Sequence, residues 1–124
     1  MSLFSIPALD HYFAMWNQTD PSLVRGHLDL AVTDSFVFCD PLHDHVGRDA
    51  LEQNVLEFRA KYRHAVLAVA SGVDHHHNRC RYQWRITLKG RLVMAGFDAV
   101  RIADSGLLDR IDGFFGQLPE LTTQ

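Results

Sequence analysis

Long basic runs are absent from this sequence, and their absence limits the class of partner. The chain has 12 lysines and arginines against 15 acidic residues, a formal net charge of −3, and no run of five basic residues. Proteins that bind nucleic acids concentrate positive charge on one face or in one segment. The composition therefore argues against DNA or RNA as a partner.

Cysteines and long apolar segments are also scarce. Cys39 and Cys80 are the only thiols, without the spacing of a CxxC motif or the density of a disulfide-rich secreted domain. No segment approaches ~18 consecutive apolar residues, and the N-terminal segment lacks the basic region of an export signal. We expect two reduced, buried thiols, no membrane span and a cytoplasmic location.

No repeat, linker or low-complexity segment divides the chain. Hydrophobic residues make up 47% and charged residues 22%, which is typical of a folded domain and not of a disordered chain. A length of 124 residues is sufficient to bury one hydrophobic core. We expect a single domain that spans residues 1–124.

The first half of the chain has the periodicity of helices. In the first helix, apolar residues recur at i, i+3, i+4 and i+7, at Leu9, Tyr12, Phe13 and Trp16. Ser5 is a candidate N-cap for it, and Asp20 followed by Pro21 begins a second helix. A third helix is predicted from four apolar positions, Leu51, Val55, Phe58 and Tyr62.

Strands are predicted where the period changes to two. From Asp34 onward Phe36, Phe38 and Asp40 share one face, until Pro41 ends the strand. Four further strands are predicted, over 65–76, 78–89, 91–103 and 106–115, and their short connections indicate antiparallel hairpins.

Helices that precede a run of long strands predict the fold class. We expect an α+β domain in which three N-terminal helices pack on one face of a strongly curved antiparallel sheet. Glycines inside strand patterns often mark a bulge or a bend, and three occur here, Gly72, Gly96 and Gly113. A curved sheet closed by helices would enclose an apolar pocket.

Asp98 lies at an unusual position for a carboxylate. Period-two geometry places it on one face of its strand with four apolar residues, Leu92, Met94, Val100 and Ile102. Apolar surroundings raise the pKa of a carboxyl group, so that Asp98 can be neutral and donate a hydrogen bond. In the alternative, a bulge at Gly96 turns the side chain outward to solvent.

The opposite face of the same strand is also apolar, with Val93, Ala95, Phe97 and Ala99 in alternation. A monomer rarely leaves such a stripe exposed to water. We therefore expect a homodimer formed through this outer face of the sheet.

Two further polar groups point toward the same pocket by independent periodicity arguments. Tyr12 lies on the apolar face of the first helix, and Asp40 ends the Phe36 and Phe38 face. Each also has a structural interpretation, since Asp-Pro commonly opens a turn and a core tyrosine needs only some acceptor.

Three motifs together resemble a known superfamily. The segments WNQTDP, FVFCDP and GFD look like the ketosteroid isomerase and SnoaL-like members of the NTF2-like superfamily, over nearly the whole chain. The resemblance implies the division of roles known for ketosteroid isomerase, in which Tyr12 stabilises an oxyanion, Asp40 shuttles a proton and neutral Asp98 donates a hydrogen bond. It also implies that no cofactor is needed.

The implied ligand is a small hydrophobic carbonyl compound. The candidate substrate-binding residues are Trp16, Phe36, Phe38, His43, Phe58, Tyr82, Trp84 and Met94. Two alternatives remain, a SnoaL-like polyketide cyclase with Asp98 as the principal acid–base residue, and a non-catalytic ligand-binding or association domain. An epoxide hydrolase of this fold is disfavoured, because Gly96 stands where its strand arginine is expected.

Eight histidines raise the question of a metal site. Three consecutive residues, His75 to His77, cannot readily converge on one ion from a strand, so an exposed hairpin tip is expected there. His43 and His45 lie two apart in the loop after Asp40 and could share a face near the cavity mouth, but they have no identified third ligand. A pocket-rim or general-acid histidine is the better functional interpretation, and an exposed loop histidine is the structural alternative. We expect no metal.

Overall fold

Residues 6–122 are described by a computed structural model, and the predicted α+β class is confirmed. The helices are α1 (Pro7–Asn17), α2 (Pro21–Ala31) and α3 (Arg48–Lys61). The strands are β1 (Val32–Asp40), β2 (His43–Val46), β3 (Ala65–Val69), β4 (Asp74–His76), β5 (Arg79–Leu88), β6 (Arg91–Ile102) and β7 (Leu108–Phe115).

The helix boundaries follow local capping chemistry. The carboxylate of Asp20 accepts a 2.9 Å hydrogen bond from the Ser22 backbone N–H, which caps α2 as predicted. Helix α1 begins at Pro7 with Ile6 at the N-cap and no side-chain cap, while Ser5 lies outside the described residues. None of the helices in residues 6–122 combines the length and the apolar character needed to cross a membrane.

The sheet is open and mostly antiparallel, with the strand order β2-β1-β7-β6-β5-β3 and β4 paired to β5. One pair departs from the prediction, because β1 and β7 run parallel. Short connections indicate the direction only of strands that are neighbours in sequence, whereas β1 and β7 meet from distant parts of the chain.

Two strand predictions were wrong in detail. The predicted strand 65–76 is divided into β3 and β4, so that Gly72 lies in the connecting loop. No strand was predicted between Pro41 and the third helix, but the chain turns back at once after Pro41 and forms β2, where His43 pairs with Asp40 and His45 with Phe38.

The helices cover one face of the sheet and bury the core between them. Its largest fully buried side chains come from all three helices and two strands, β1 and β7, and they include Phe36, Leu9, Met15, Leu28, Leu51, Leu108 and Ile111. Both cysteines are free. Cys80 is buried as predicted, but Cys39 is only half-buried because it lies on the other face of β1 from Phe38.

A bulge in β6 changes which side chains face inward. Ile86 pairs with Met94 but Thr87 pairs with Leu92, so Val93 is an extra residue in the ladder. Val93 and Met94 both line the cavity between the helices and the sheet, with Val93 56% exposed, whereas Leu92 does not line it and is 64% exposed. The predictions of an inward Leu92 and an outward Val93 were therefore wrong.

Candidate functional site

Helices α1 and α3 and the concave face of the sheet enclose a cavity of about 450 Å³. Its walls are mainly apolar, and both predicted carboxylates and Tyr12 line it. Six of the predicted substrate-binding residues line it as well, namely Trp16, Phe38, His43, Phe58, Trp84 and Met94. A volume of this size suits a small organic ligand.

Phe36 and Tyr82 do not line the cavity, which corrects two of the predicted wall residues. Phe36 shares a face with Phe38, but it lies two residues deeper and is fully buried in the core. Tyr82 is also buried, and its hydroxyl donates a hydrogen bond to Asp98. Period-two spacing gives the face of a strand, but not the depth at which the cavity ends.

The two carboxylates meet across a glycine. Asp98 pairs with Gly113 on β7, and Asp40 lies on the other side of Gly113 on β1. A Cβ atom at Gly113 would lie 3.1 Å from Asp98 Oδ1 and 3.3 Å from Asp40 Cβ. The absence of a side chain at this position therefore lets both acids face the same end of the cavity.

Asp98 is only 8% exposed and lies within a hydrogen-bonded cluster. Its Oδ2 accepts a 2.8 Å bond from the Tyr82 hydroxyl, and its Oδ1 accepts a 3.0 Å bond from Trp84 Nε1. Burial raises the pKa of Asp98 to about 6, against the opposing effect of these two donors. The carboxyl group is thus mostly ionised at pH 7 and mostly protonated below pH 6.

Tyr82 and Trp84 both donate hydrogen bonds to Asp98, and this role was not predicted from the sequence. Both residues were predicted only to line the pocket. The available signal was their alternation on the inner face of β5, because buried tyrosine and tryptophan usually need a hydrogen-bond partner. Trp84 reaches Asp98 because it pairs with Gly96. A Cβ atom there would lie 2.6 Å from the indole Cζ2.

Tyr12 faces the carboxylates from α1 and is buried. Burial, followed by the negative charge of Asp98, raises the pKa of Tyr12 well above its ordinary value. The Trp16 indole opposes this rise, but its Nε1–H is outside hydrogen-bond geometry and has no partner within residues 6–122. The hydroxyl therefore stays protonated near neutral pH and can donate to a ligand oxygen.

Asp40 forms the turn that one interpretation predicted and also lines the cavity. Its Oδ1 accepts a 2.8 Å hydrogen bond from the Leu42 backbone N–H and lies 3.0 Å from His43 Nδ1. Its side chain is 10% exposed, against 36% for His43. The β1–β2 hairpin thus places a carboxylate and an imidazole side by side at the cavity wall.

The other histidines lie apart from the cavity. The ring of His45 stacks on Phe38 at 5.3 Å, and its Nε2 lies 3.2 Å from Asn54 Nδ2. Burial, followed by the neighbouring His43, lowers the pKa of His45. The segment from His75 to His77 is exposed near the β4–β5 turn, as predicted. No group of three or more possible metal ligands forms within residues 6–122.

Helix α3 supplies polar cavity residues that were not predicted, Asn54, Glu57 and Lys61. The prediction of this helix came from its apolar spacing, which says nothing about polar residues beside that stripe. Tyr62 also lines the cavity, but it caps the C-terminus of α3 and is exposed. The cavity therefore has mainly apolar walls and two polar regions, one along α3 and one formed by Asp40, His43 and Asp98.

Solved structures share this architecture. A proposed isomerase of the SnoaL-like family from Agrobacterium tumefaciens is 26% identical, with a TM-score of 0.83, over 89% of this chain and 95% of that one. An NTF2-like protein of unknown function from Exiguobacterium sp. 255-15 is 18% identical, with a TM-score of 0.72, over 90% and 99% of the two chains.

A third structure, of a proposed polyketide cyclase from Sinorhizobium meliloti, is 14% identical, with a TM-score of 0.67, over 86% of this chain and 92% of that one. No protein-family model and no curated protein matches the sequence. The three-dimensional likeness, together with the Agrobacterium sequence identity, supports membership of the NTF2-like superfamily, and SnoaL-like proteins are among the structures that this chain is similar to.

Proposed function

We propose that this protein is an acid–base enzyme that transfers a proton next to the carbonyl group of a small apolar substrate. The observation that carries the proposal is Asp98, a carboxyl group on the wall of an apolar cavity with a pKa of about 6. A general acid or base works best when its pKa lies near the working pH. The Agrobacterium relative, a proposed isomerase, supports the same class of reaction.

In the proposed reaction, Asp98 takes a proton from the carbon next to the carbonyl group. The electron pair of that C–H bond moves toward the carbonyl oxygen, which becomes an enolate and accepts a hydrogen bond from Tyr12. The proton returns to carbon in a second step, and no cofactor takes part.

The family resemblance assigns these roles differently, with Asp40 as the base and Asp98 as a neutral donor. Two observations favour Asp98 as the proton carrier. The hydrogen bonds from Tyr82 and Trp84 stabilise its charged form, and a pKa of about 6 leaves it mostly ionised at pH 7.

Deuterium uptake from solvent tests this proposal. Cyclic enones and β,γ-unsaturated ketones that bind the protein are incubated in deuterated water and followed by NMR. We expect exchange at the carbon next to the carbonyl group, and Tyr12→Phe should slow it by about 10²-fold, as for the loss of one oxyanion donor. If no ligand that binds exchanges its hydrogen, the protein is a ligand-binding domain and not this enzyme.

A polyketide cyclase is the second candidate function. It is favoured by the same observation, the Asp98 carboxyl group on the wall of the apolar cavity. Two solved relatives are proposed polyketide cyclases, from Sinorhizobium meliloti and Jannaschia sp. CCS1. In that reaction Asp98 would be the principal acid–base group, and the enolate would attack a second carbonyl carbon to close a ring. Product analysis separates the two reactions, since only a cyclase forms a carbon–carbon bond.

We also propose that the protein is a homodimer that pairs through the outer face of the sheet. After correction for Val93, the apolar stripe consists of Ala95, Phe97 and Ala99, with Phe114 beside it on β7. The rings of Phe97 and Phe114 stack at 5.2 Å, and Phe114 is 51% exposed. Apolar patches of this kind usually mark an interface.

Light scattering checks the dimer directly. We expect twice the monomer mass at micromolar concentration, and Phe114→Glu should shift the protein to monomers because it places a charge in the apolar stripe. Leu118→Glu is the matched control, since Leu118 is 78% exposed and outside the stripe. A wild-type monomer at this concentration contradicts the proposal.

A further inference from the structure

We propose that Asp40 and His43 act as a pair, in which His43 Nε2 delivers a proton to the substrate and Asp40 holds the imidazole in place. The inference rests on the proposed function, in which Asp98 carries the proton. It makes His43 a second proton-carrying group of the same site. It assigns Asp40 a positioning role, and it makes His43 a catalytic residue.

The hairpin geometry brings the pair together. Asp40 and His43 are register partners across the tight β1–β2 turn, and Oδ1 of Asp40 lies 3.0 Å from Nδ1 of His43. The Leu42 backbone N–H donates a 2.8 Å hydrogen bond to the same oxygen, which fixes the carboxylate. A carboxylate in this position accepts the Nδ1 proton, so the neutral imidazole has its lone pair on Nε2.

Ring packing fixes the orientation of the imidazole. The ring of Phe38 lies 6.1 Å from that of His43 at 64°, and the ring of His45 lies 6.1 Å away at 68°. His43 lines the cavity with its side chain partly exposed, so it is held at the wall and remains accessible. A group in this position can reach both ligand and solvent.

The two proton-carrying groups can serve different carbons of one substrate. Asp98 breaks the C–H bond at the α carbon and keeps the proton, while the electron pair spreads over a dienolate. Protonated His43 then gives its Nε2 proton to the γ carbon, where a new C–H bond forms. Asp40 keeps its contact with Nδ1 of His43. To complete the cycle, Asp98 releases its proton to solvent and Nε2 of His43 takes up a proton from solvent.

The test separates the two proton transfers. A β,γ-unsaturated cyclic ketone deuterated at the α carbon is incubated with the protein in ordinary water. Loss of α deuterium reports the step at Asp98, and formation of the conjugated ketone reports delivery at the γ carbon. With two carriers, the new γ hydrogen comes from solvent and not from the α position.

His43→Gln should lower formation of the conjugated ketone by about 10²-fold or more, as for the loss of a general acid, while α-deuterium loss continues. Continued exchange also shows that the variant is folded. His75→Gln is the matched control and should retain both rates, since His75 is exposed on β4 and does not line the cavity. If His43→Gln forms the conjugated ketone as fast as the wild type, or if α deuterium is transferred to the γ carbon, the Asp40–His43 pairing is wrong. The proposed function is not affected by either result.

The imidazole tautomer gives a readout that does not depend on activity. ¹⁵N NMR should show the His43 proton on Nδ1 in the wild type, and Asp40→Asn should weaken this preference while Asp44→Asn, an exposed change in the same hairpin, should not. A neutral His43 protonated at Nε2 in the wild type overturns the pairing. A wild type that exchanges no α deuterium overturns the proposed function instead.

Discussion

Asp98→Asn is expected to abolish proton exchange and, at the same time, to increase the free energy of unfolding near neutral pH. The loss of exchange follows because an amide cannot take up the substrate proton, and removal of a general base typically costs about 10²- to 10⁴-fold. Deuterium uptake measured by NMR gives this rate. An Asp98→Asn variant that exchanges like the wild type would show that another group moves the proton.

The gain in stability comes from the raised pKa. The difference between about 6 in the folded protein and ~3.9 for an ordinary aspartate corresponds to ~3 kcal/mol. Because the folded value is the higher one, ionisation of Asp98 destabilises the fold. The penalty is absent well below the unfolded pKa, grows as the pH rises between the two values and is complete above about 6.

Asparagine escapes this penalty, keeps the hydrogen bond from Trp84 and can form a hydrogen bond of reversed direction with Tyr82. Its amide oxygen can accept from Trp84 Nε1, and its amide nitrogen can donate to the Tyr82 oxygen. Urea unfolding should therefore show a gain of up to ~3 kcal/mol at about pH 7.5 but no more than ~1 kcal/mol at about pH 4.5. Asp104→Asn, in the exposed turn after β6, is the control. Lower stability of Asp98→Asn at the higher pH would contradict the buried, ionised carboxylate.

The sequence was sufficient to place Asp98 on the inner face of the sheet, because alternation along β5 and β6 gives the face of each residue as long as no bulge intervenes. It was not sufficient for Val93, since the bulge depends on how Ile86 and Thr87 pair with the next strand. Tyr12 and Asp40 followed from the same kind of local periodicity. These three residues became a site only through contacts between elements that are far apart in sequence.

The Asp40–His43 pair shows a different limit. Its residues are three apart, but their contact depends on the chain turning back at once into β2, and the short polar segment after Pro41 has no apolar alternation to indicate a strand. The parallel pairing of β1 with β7 is likewise set by the packing of the whole chain. Local pattern indicates the faces of the elements, whereas packing determines the register.

The glycines in the strand patterns illustrate how one local signal has several physical causes. Gly72 lies in the loop between β3 and β4, where an added Cβ atom would meet nothing within 4 Å. It therefore marks neither a bulge nor a bend inside a strand. Gly113 leaves room for two carboxylates. Gly96 lies beneath the Trp84 ring and beside the Phe114 carbonyl oxygen, where an added Cβ atom would collide with both.

Of the glycine-to-alanine substitutions at positions 72, 96 and 113, Gly96→Ala should therefore be the most destabilising. We expect it to lower the free energy of unfolding by about 2 kcal/mol or more, as for overpacking against groups that cannot move freely. The Phe114 oxygen belongs to the β6–β7 ladder, so the backbone of this ladder must shift to relieve one clash and the Trp84 ring must shift to relieve the other. Movement of the ring weakens its hydrogen bond to Asp98. Since that bond stabilises the carboxylate, the pKa of Asp98 should then rise further above about 6.

Urea unfolding and carboxyl titration by NMR measure the two effects of Gly96→Ala. Gly72→Ala is the matched control, because the added methyl group meets no atom within 4 Å and a residue with fewer unfolded conformations can even stabilise the fold. Gly96→Ala should differ from this control in both stability and the Asp98 pKa. If the two variants unfold at the same urea concentration and Asp98 titrates as in the wild type, Trp84 does not lie across Gly96, and the Trp84 hydrogen bond is not what holds Asp98 as a carboxylate.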